Sequence, residues 1–279
     1  DAMILSIDDS GSLMGSLVTG QLQVTGRVAG MGVDPGLSIA SSGTGFLGAL
    51  SDGGSMAIRR FAADGTPADA SWTPLPYRGG TGIVATFDGT SYQLTFGGGD
   101  LSCNAPSQVR RLSIPATGAL GSLLGAAVIP GPTEVSDASC WGSACVGVSR
   151  GGGQDLFLLG PGGPLSWSPP GVGTITQLAV AMGPTGGLLA IGASSGKVYG
   201  QPLDAAGTPQ GALMSLGIGM SPGWSSPILA TVWDGQRFVV AWQTGGTSAN
   251  IEANWVLGGA PMFPTGQLLV DETDAALAP

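Results

Sequence analysis

Not one of the 279 residues is a histidine. That removes imidazole acid–base chemistry, Ser-His-Asp and Cys-His nucleophilic sites, and His-ligated zinc, copper or iron centres. Charge is scarce as well: nine basic residues stand against 18 acidic ones, a net −9, and Lys197 is the only lysine. A phosphate backbone or an anionic membrane surface needs a clustered basic face. The pairs Arg59/Arg60 and Arg110/Arg111 do not supply one, because alternation along a strand sends the members of each pair to opposite faces. Nucleic acid is therefore not an expected partner. Glutamate occurs only at Glu134, Glu252 and Glu272, and aspartate falls mostly in turns, which leaves a hydrolase built on paired carboxylates as a minor reading. No apolar run reaches the roughly 18 residues of a membrane-spanning helix. The longest, 119–129, is broken by glycine, so membrane insertion is not expected.

Cysteine is limited to three residues. Cys140 and Cys145 flank a Gly-bearing turn (CWGSAC), where residues facing each other across a tight hairpin come within disulfide reach. Two free thiols are the alternative. A zinc site is not, because CxxxxC with neither a second pair nor a histidine cannot complete a tetrahedral shell. Cys103 is left over, as a free thiol or as half of a bond to another chain. The chain opens at Asp1 without an initiator Met or a charged and apolar leader, so the expectation is a processed chain acting outside the cytoplasm.

What the sequence does have is glycine, 51 of them, with 20 prolines, spread along the chain instead of gathered in a linker. No stretch holds a helical period over ten residues without interruption. Five times an apolar run, a Gly-bearing turn and a second apolar run recur: 39–50 around Gly43, 83–96 around Asp88–Gly89, 135–149 around Gly142, 178–192 around Pro184–Gly186, and 228–242 around Asp234–Gly235. The turn centres lie roughly 43 to 53 residues apart, the length of a four-stranded propeller blade. A second marker keeps step: Ile7, Phe61, Ile114, Leu159, Leu203 and Trp255 each stand four residues before a glycine. Each marks the end of a strand before a second hairpin. The predicted fold is thus all-β, a β-propeller of four-stranded antiparallel blades A to D with six blade positions, five and seven being the alternatives. The expected boundaries are 37–81, 82–132, 133–176, 177–225 and 226–270. Residues 1–36 are read as a C–D hairpin and connection, and 271–279 as a closing strand or tail. The markers Phe61, Ile114, Leu203 and Trp255 are expected in the core. Residues 2–17 are expected beside the C-terminal segment, in a thin composite blade.

Segments such as 230–242 (ATVWDGQRFVVAW) and 85–96 (ATFDGTSYQLTF), with the Gly-Thr-Pro turns at Gly65–Pro67 and Gly207–Pro209, resemble the secreted propeller-type repeats of myxobacteria and related bacteria. A cysteine pair bracketing the A–B turn recurs in that group, which resembles Cys140/Cys145 here. The resemblance implies a propeller fold and an extracytoplasmic location, and carries over no catalytic residue.

In that frame the A–B and C–D turns share one end of the blades, and the connections of variable length share the other: 17–36, 97–108, 217–226 and 243–250. Variable loops on a rigid frame are where binding residues gather. The candidates there are Tyr77, Arg78, Asp100, Asn104, Trp224 and Gln243, aromatics with polar neighbours that suit a glycan, peptide or protein ligand. The glycine runs 97–99 and 151–153 read as loops; neither opens a helix nor carries a lysine, so neither cradles phosphate. No organic cofactor is expected. Asp8, Asp9, Asp271 and Glu272 are candidate Ca²⁺ ligands if the termini converge, the alternative being a solvated acidic surface. The functional expectation is a non-enzymatic binding or scaffold module. A structural subunit that docks on another chain through an edge strand or Cys103 is the alternative.

Overall fold

The computed structural model describes residues 2–7, 13–18, 22–28, 36–51, 55–100, 108–120, 127–129, 135–152, 155–160, 163–220, 229–244 and 250–270. Every regular element among them is a β-strand. The chain separates into two compact units, Asp1–Ala138 and Ser139–Pro279.

In the first unit, β1 (Ala2–Ile7), β2 (Leu13–Val18) and β3 (Leu22–Val28) form a three-stranded antiparallel sheet. Then come two four-stranded blades. The first holds β4 (Gly36–Ser41), β5 (Gly45–Ser51), β6 (Met56–Ala62) and β7 (Thr73–Leu75). The second holds β8 (Tyr77–Phe87), β9 (Ser91–Asp100), β10 (Gln108–Pro115) and β11 (Ala127–Ile129). The second unit continues through a third blade of β12 (Asp137–Trp141), β13 (Ala144–Gly152), β14 (Asp155–Gly160) and β15 (Gly163–Trp167). The fourth is β16 (Ile175–Gly183), β17 (Gly186–Ala193), β18 (Val198–Leu203) and β19 (Met214–Gly217). In the fifth, β20 (Leu229–Trp233), β21 (Phe238–Thr244) and β22 (Asn250–Leu257) are completed by the short β23 (Ala260–Pro261) and by β24 (Gln267–Val270), both paired to β22. Apart from β24, which pairs with β22 and not with β23, strands adjacent in sequence pair within each sheet, which is what a meander of tight turns produces. Gly43, Gly89, Gly142 and Gly235 hold these turns at φ of 82°, 93°, 54° and 99°, a region costly for any side chain.

The blades bury their apolar faces against one another. Leu47 and Ile58 of the first blade pack with Leu94, Phe96 and Ile114 of the second, and Val146 and Leu158 of the third pack with Leu189 and Ile191 of the fourth. Polar fixings repeat between the blades. Ser38 Oγ on β4 accepts from the Ala85 N–H on β8 at 2.8 Å, and Ser139 Oγ on β12 accepts from the Met182 N–H on β16 at 3.0 Å.

Arg60, one residue before the marker Phe61, donates to Asp69 Oδ1 at 2.7 Å and reaches the second blade at the carbonyls of Pro115 (3.0 Å) and Gly118 (2.8 Å). Asn254, one residue before Trp255, is fully buried and ties the Leu216 carbonyl of the fourth blade to Phe263. Burial raises the Asp69 carboxyl, but the Arg60 hydrogen bonds and the charges of Arg60 and Arg59 outweigh it and hold it below the ordinary carboxylate range. A depressed folded pKa stabilises above the unfolded value, and that stability is lost as pH falls through the folded one. Arg60→Ala should therefore cost about 2–4 kcal/mol at neutral pH, and the gap to wild type should narrow below the ordinary carboxylate range. Urea denaturation at pH 7 and at a pH below the ordinary carboxylate range measures both; a gap that is the same at the two would separate Arg60 from Asp69.

Several sequence expectations change. Residues 22–28, read as part of a connection, form β3, so residues 2–28 hold three paired strands instead of one hairpin. β1 lies beside β4. The glycine runs read as loops are strand ends: 97–99 belongs to β9 and pairs with β8 across a register shift between Gly79 and Ile83, and Gly151–Gly152 belongs to β13. Glycine bonds through its backbone like any residue, so pairing continues where no apolar pattern marks it. Of the markers, Phe61, Ile114 and Leu203 are buried, whereas Trp255 is only half-buried. Leu268–Val270 lies in β24 against β22, and the proposed closing segment 271–279 is outside the described residues.

Candidate functional site

A cleft of about 240 Å³ lies between the fourth and fifth blades, at their turn end. One wall comes from the β16–β17 turn and the end of β18: Thr185, Gly186, Gly187, Leu188, Pro202 and Leu203. The other comes from the fifth blade's two turns and the strand ends beside them, with Trp233, Gln236, Phe238 and Val256. Trp233 and Phe238 face each other across the Asp234–Gly235 turn with ring centroids 4.8 Å apart and planes at 60°. Their rings rest on Gly183, where a Cβ would stand 3.1 Å from Trp233 Cδ2 and 3.2 Å from Phe238 Cζ. Glycine there lets the aromatic pair approach the neighbouring blade closely.

The turn is locked from within. Asp234 Oδ1 accepts from the Gln236 and Arg237 N–H groups, both at 2.9 Å, and Oδ2 accepts from Arg237 Nε at 3.1 Å. Those backbone bonds, helped by the Arg237 side chain, hold the Asp234 carboxyl below its ordinary value. The Arg237 guanidinium then lies 5.5 Å over the Trp255 ring, which meets Phe263 edge-on at 5.6 Å.

The second blade carries the same device. Phe87 and Tyr92 flank the Asp88–Gly89 turn with centroids 5.2 Å apart, and Asp88 Oδ1 accepts from the Thr90 and Ser91 N–H groups. Tyr92 donates its hydroxyl to Ser42 Oγ on the preceding blade's turn at 3.0 Å and is 1% exposed. Phe238 stands at the Tyr92 position without a hydroxyl, and its Cζ is packed against Gly183 of the preceding blade. That difference is the signal in the sequence which the repeat frame, reading all such turns as scaffold, passes over.

Turn aspartates throughout the described residues are engaged in this way. Asp64 accepts from the Thr66 side chain and backbone, and Asp204 from the Ala206 and Thr208 N–H groups. Such carboxylates are structural acceptors. No cluster of three or more metal-ligating side chains occurs among the described residues.

The residues singled out in the sequence distribute as follows. Tyr77 opens β8 and is 4% exposed, its ring 5.2 Å from Phe96 with the Arg110 guanidinium 5.5 Å above it, so it is a core residue and not a loop platform. Arg78 and Asp100 lie at the same end of that hairpin, Arg78 in register with Gly99 and Asp100 with Tyr77. Gln243 is half-buried on β21, in the other unit, opposite Ile251. Asn104 and Trp224, and the four candidate Ca²⁺ ligands Asp8, Asp9, Asp271 and Glu272, lie outside the described residues. Cys140 and Cys145 are joined by a disulfide across the β12–β13 turn, with Cα atoms 4.1 Å apart. Trp141, at the tip, is 45% exposed.

No protein-family model matches this sequence, and no curated protein matches it. Solved structures do match in fold. The WD40 repeats of RRP9 superpose with a TM-score of 0.58 at 16% identity, over 97% of this chain and 77% of theirs. The β-propeller domain of Cps50 (Swd1) from Myceliophteria thermophila gives 0.54 at 13% identity, over 96% and 82%. TolB from Acinetobacter baumannii gives 0.52 at 14% identity, over 92% and 61%. With its antiparallel four-stranded sheets repeated in chain order, the chain has the β-propeller fold.

Proposed function

We propose that this propeller is a non-enzymatic binding and scaffold module that works outside the cytoplasm and takes a protein partner at its turn end. The observation that carries this is the cleft between the fourth and fifth blades, an aromatic-lined concavity built from scaffold turns with no ionised side chain in its lining. A hydrolytic site would need two carboxylates held free for acid and base work, whereas the Asp64, Asp88, Asp204 and Asp234 carboxylates are bound to their own turns. The WD40-type neighbours support a partner of protein kind. The Cys140–Cys145 bond, and the resemblance to secreted bacterial repeats, support an oxidising compartment.

Selection of a displayed peptide library on the purified full-length protein, beside a glycan array, tests the reading. Enriched peptides that bind in solution are the expected result; an array response with no enriched peptide would replace a protein ligand by a sugar. Thiol titration under denaturing, non-reducing conditions should find no more than one free thiol per chain. Three would remove the argument for an oxidising compartment.

A second reading, a structural subunit that docks on another chain, is favoured by β24. On this strand Leu268 and Leu269, beside a register shift against β22, are 55% and 50% exposed. Native mass spectrometry over a concentration series distinguishes it, since a docking subunit self-associates or retains a partner where an isolated binding module stays monomeric.

A further inference from the structure

We infer that the cleft between the fourth and fifth blades is an anchor pocket that takes one large apolar side chain, of phenylalanine or leucine size, from a partner segment with Lys or Arg on either side. The inference rests on the protein-binding reading above and specifies what the site recognises.

Size comes first. At about 240 Å³ the cleft lies below the roughly 300–1,000 Å³ of sites that enclose a drug-sized ligand, and suits a single side chain. The lining comes second. Leu188, Pro202, Leu203, Trp233, Phe238 and Val256 give apolar walls, and only Thr185 and Gln236 bring polar side chains. A sugar ring needs several directional partners for its hydroxyls, and two exposed side chains at a rim supply too few. An apolar side chain needs none, and is held by area removed from water and by the aromatic faces. Gly258 and Gly259 are exposed, with nothing within 4 Å of where a Cβ would stand, so this part of the rim is free of side chains and an extended backbone can come close enough to insert its anchor.

Charge decides the flanks. Asp204 follows the lining residue Leu203 and Asp234 follows Trp233, so two carboxylates adjoin the cleft and Arg237 alone opposes them. The whole chain carries −9. A basic segment is therefore drawn towards this surface and an acidic one is repelled. A propeller that presents one pocket beside a rigid turn binds a short linear segment through one anchor, with the flanking charges setting association and salt dependence.

The test uses the full-length protein and fluorescein-labelled peptides Lys-Arg-Gly-X-Gly-Arg-Lys with X as Phe, Leu or Ala, read by fluorescence polarisation. Phe and Leu should bind at least about ten-fold tighter than Ala, which is the size of one well-buried anchor. Thr185→Trp and Gln236→Trp, both at exposed turn positions, should each weaken the Phe peptide by a similar factor while leaving the thermal midpoint unchanged. Replacing the four basic residues by Glu should abolish binding at low salt. Equal affinity for Phe and Ala, or wild-type affinity in both tryptophan variants, overturns the anchor pocket. Displacement of the peptide by neutral monosaccharides overturns it in favour of a sugar site. Library peptides that bind but ignore both variants leave the binding module standing and remove this pocket. Failure of every peptide and library selection removes both.

Discussion

Replacing Tyr77 by alanine is expected to destabilise the protein by about 3–5 kcal/mol, as much as Phe61→Ala. Both rings are nearly out of water, Tyr77 at 4% and Phe61 at 7% exposure. Truncation at Tyr77 removes its packing on Phe96 and leaves the Arg110 guanidinium without the ring beneath it. Pairs of this kind add about 0.5–1.5 kcal/mol beyond buried area. At Phe61 the lost contact is an edge-on meeting with Trp72 at 6.3 Å, within a smaller cluster. Denaturant midpoints of the two variants, measured side by side with unchanged slope, are the comparison. A Tyr77→Ala midpoint within about 0.5 kcal/mol of wild type is what a loop residue would give, and would contradict the placement of Tyr77 in β8.

The second large effect concerns Trp242, among the largest fully buried side chains and the one that joins the fourth and fifth blades. Its indole lies in a slot between two backbones. A Cβ at Gly217 would stand 2.3 Å from Trp242 Cζ2, and one at Gly266 would stand 2.4 Å from the same atom. Neither glycine has a positive φ that would itself demand glycine, so the ring is what excludes a side chain at both. Trp242→Ala should cost about 3–5 kcal/mol through lost burial and an open cavity. Gly217→Ala should cost about 1–3 kcal/mol by overpacking against the ring. The two are coupled: with Trp242 already alanine, Gly217→Ala should be close to neutral. A double-mutant cycle by chemical denaturation reads the coupling, and additive costs would mean that the Gly217 penalty has another source.

The hairpins were legible because their signals are local. Apolar runs around Gly43, Asp88–Gly89, Gly142 and Asp234–Gly235 state both the pairing and the turn, and the glycines do take the positive φ this requires. The marker residues were legible as strand ends, but their depth was not: Phe61 and Trp255 occupy equivalent places, yet Trp255 lies beneath Arg237, on the side chain of its own blade's turn. Where glycine replaces the apolar alternation, as at 97–99, the pairing persists without a pattern, and at 79–83 the register shifts, so nothing local marks Tyr77 as a strand residue. The third N-terminal strand carries Leu22, Val24 and Val28 in alternation, but the register shift opposite Gly15 and Ser16 places Gly26 where the next apolar residue belongs. The cleft was illegible for a different reason. Its walls come from separate turns and strand ends of two blades, and only the fold brings Leu188, Pro202, Trp233 and Phe238 together.

The fixings between blades, Ser38 to Ala85, Arg60 to Pro115 and Gly118, Ser139 to Met182 and Asn254 to Leu216, each reach one blade away and no further. A molecule bound together in this way is additive in its parts. Whole blades can be gained or lost by duplication or excision of one coding segment, because each copy arrives with the contacts its neighbour needs. Copies are then free to diverge. At the position before the marker, Arg60 and Asn254 hold polar clasps while Leu158 is apolar and Pro202 gives up its N–H altogether. The turn of the fifth blade, with Phe238 where the second blade has the hydrogen-bonded Tyr92, is one such divergence, and it stands in the wall of the cleft.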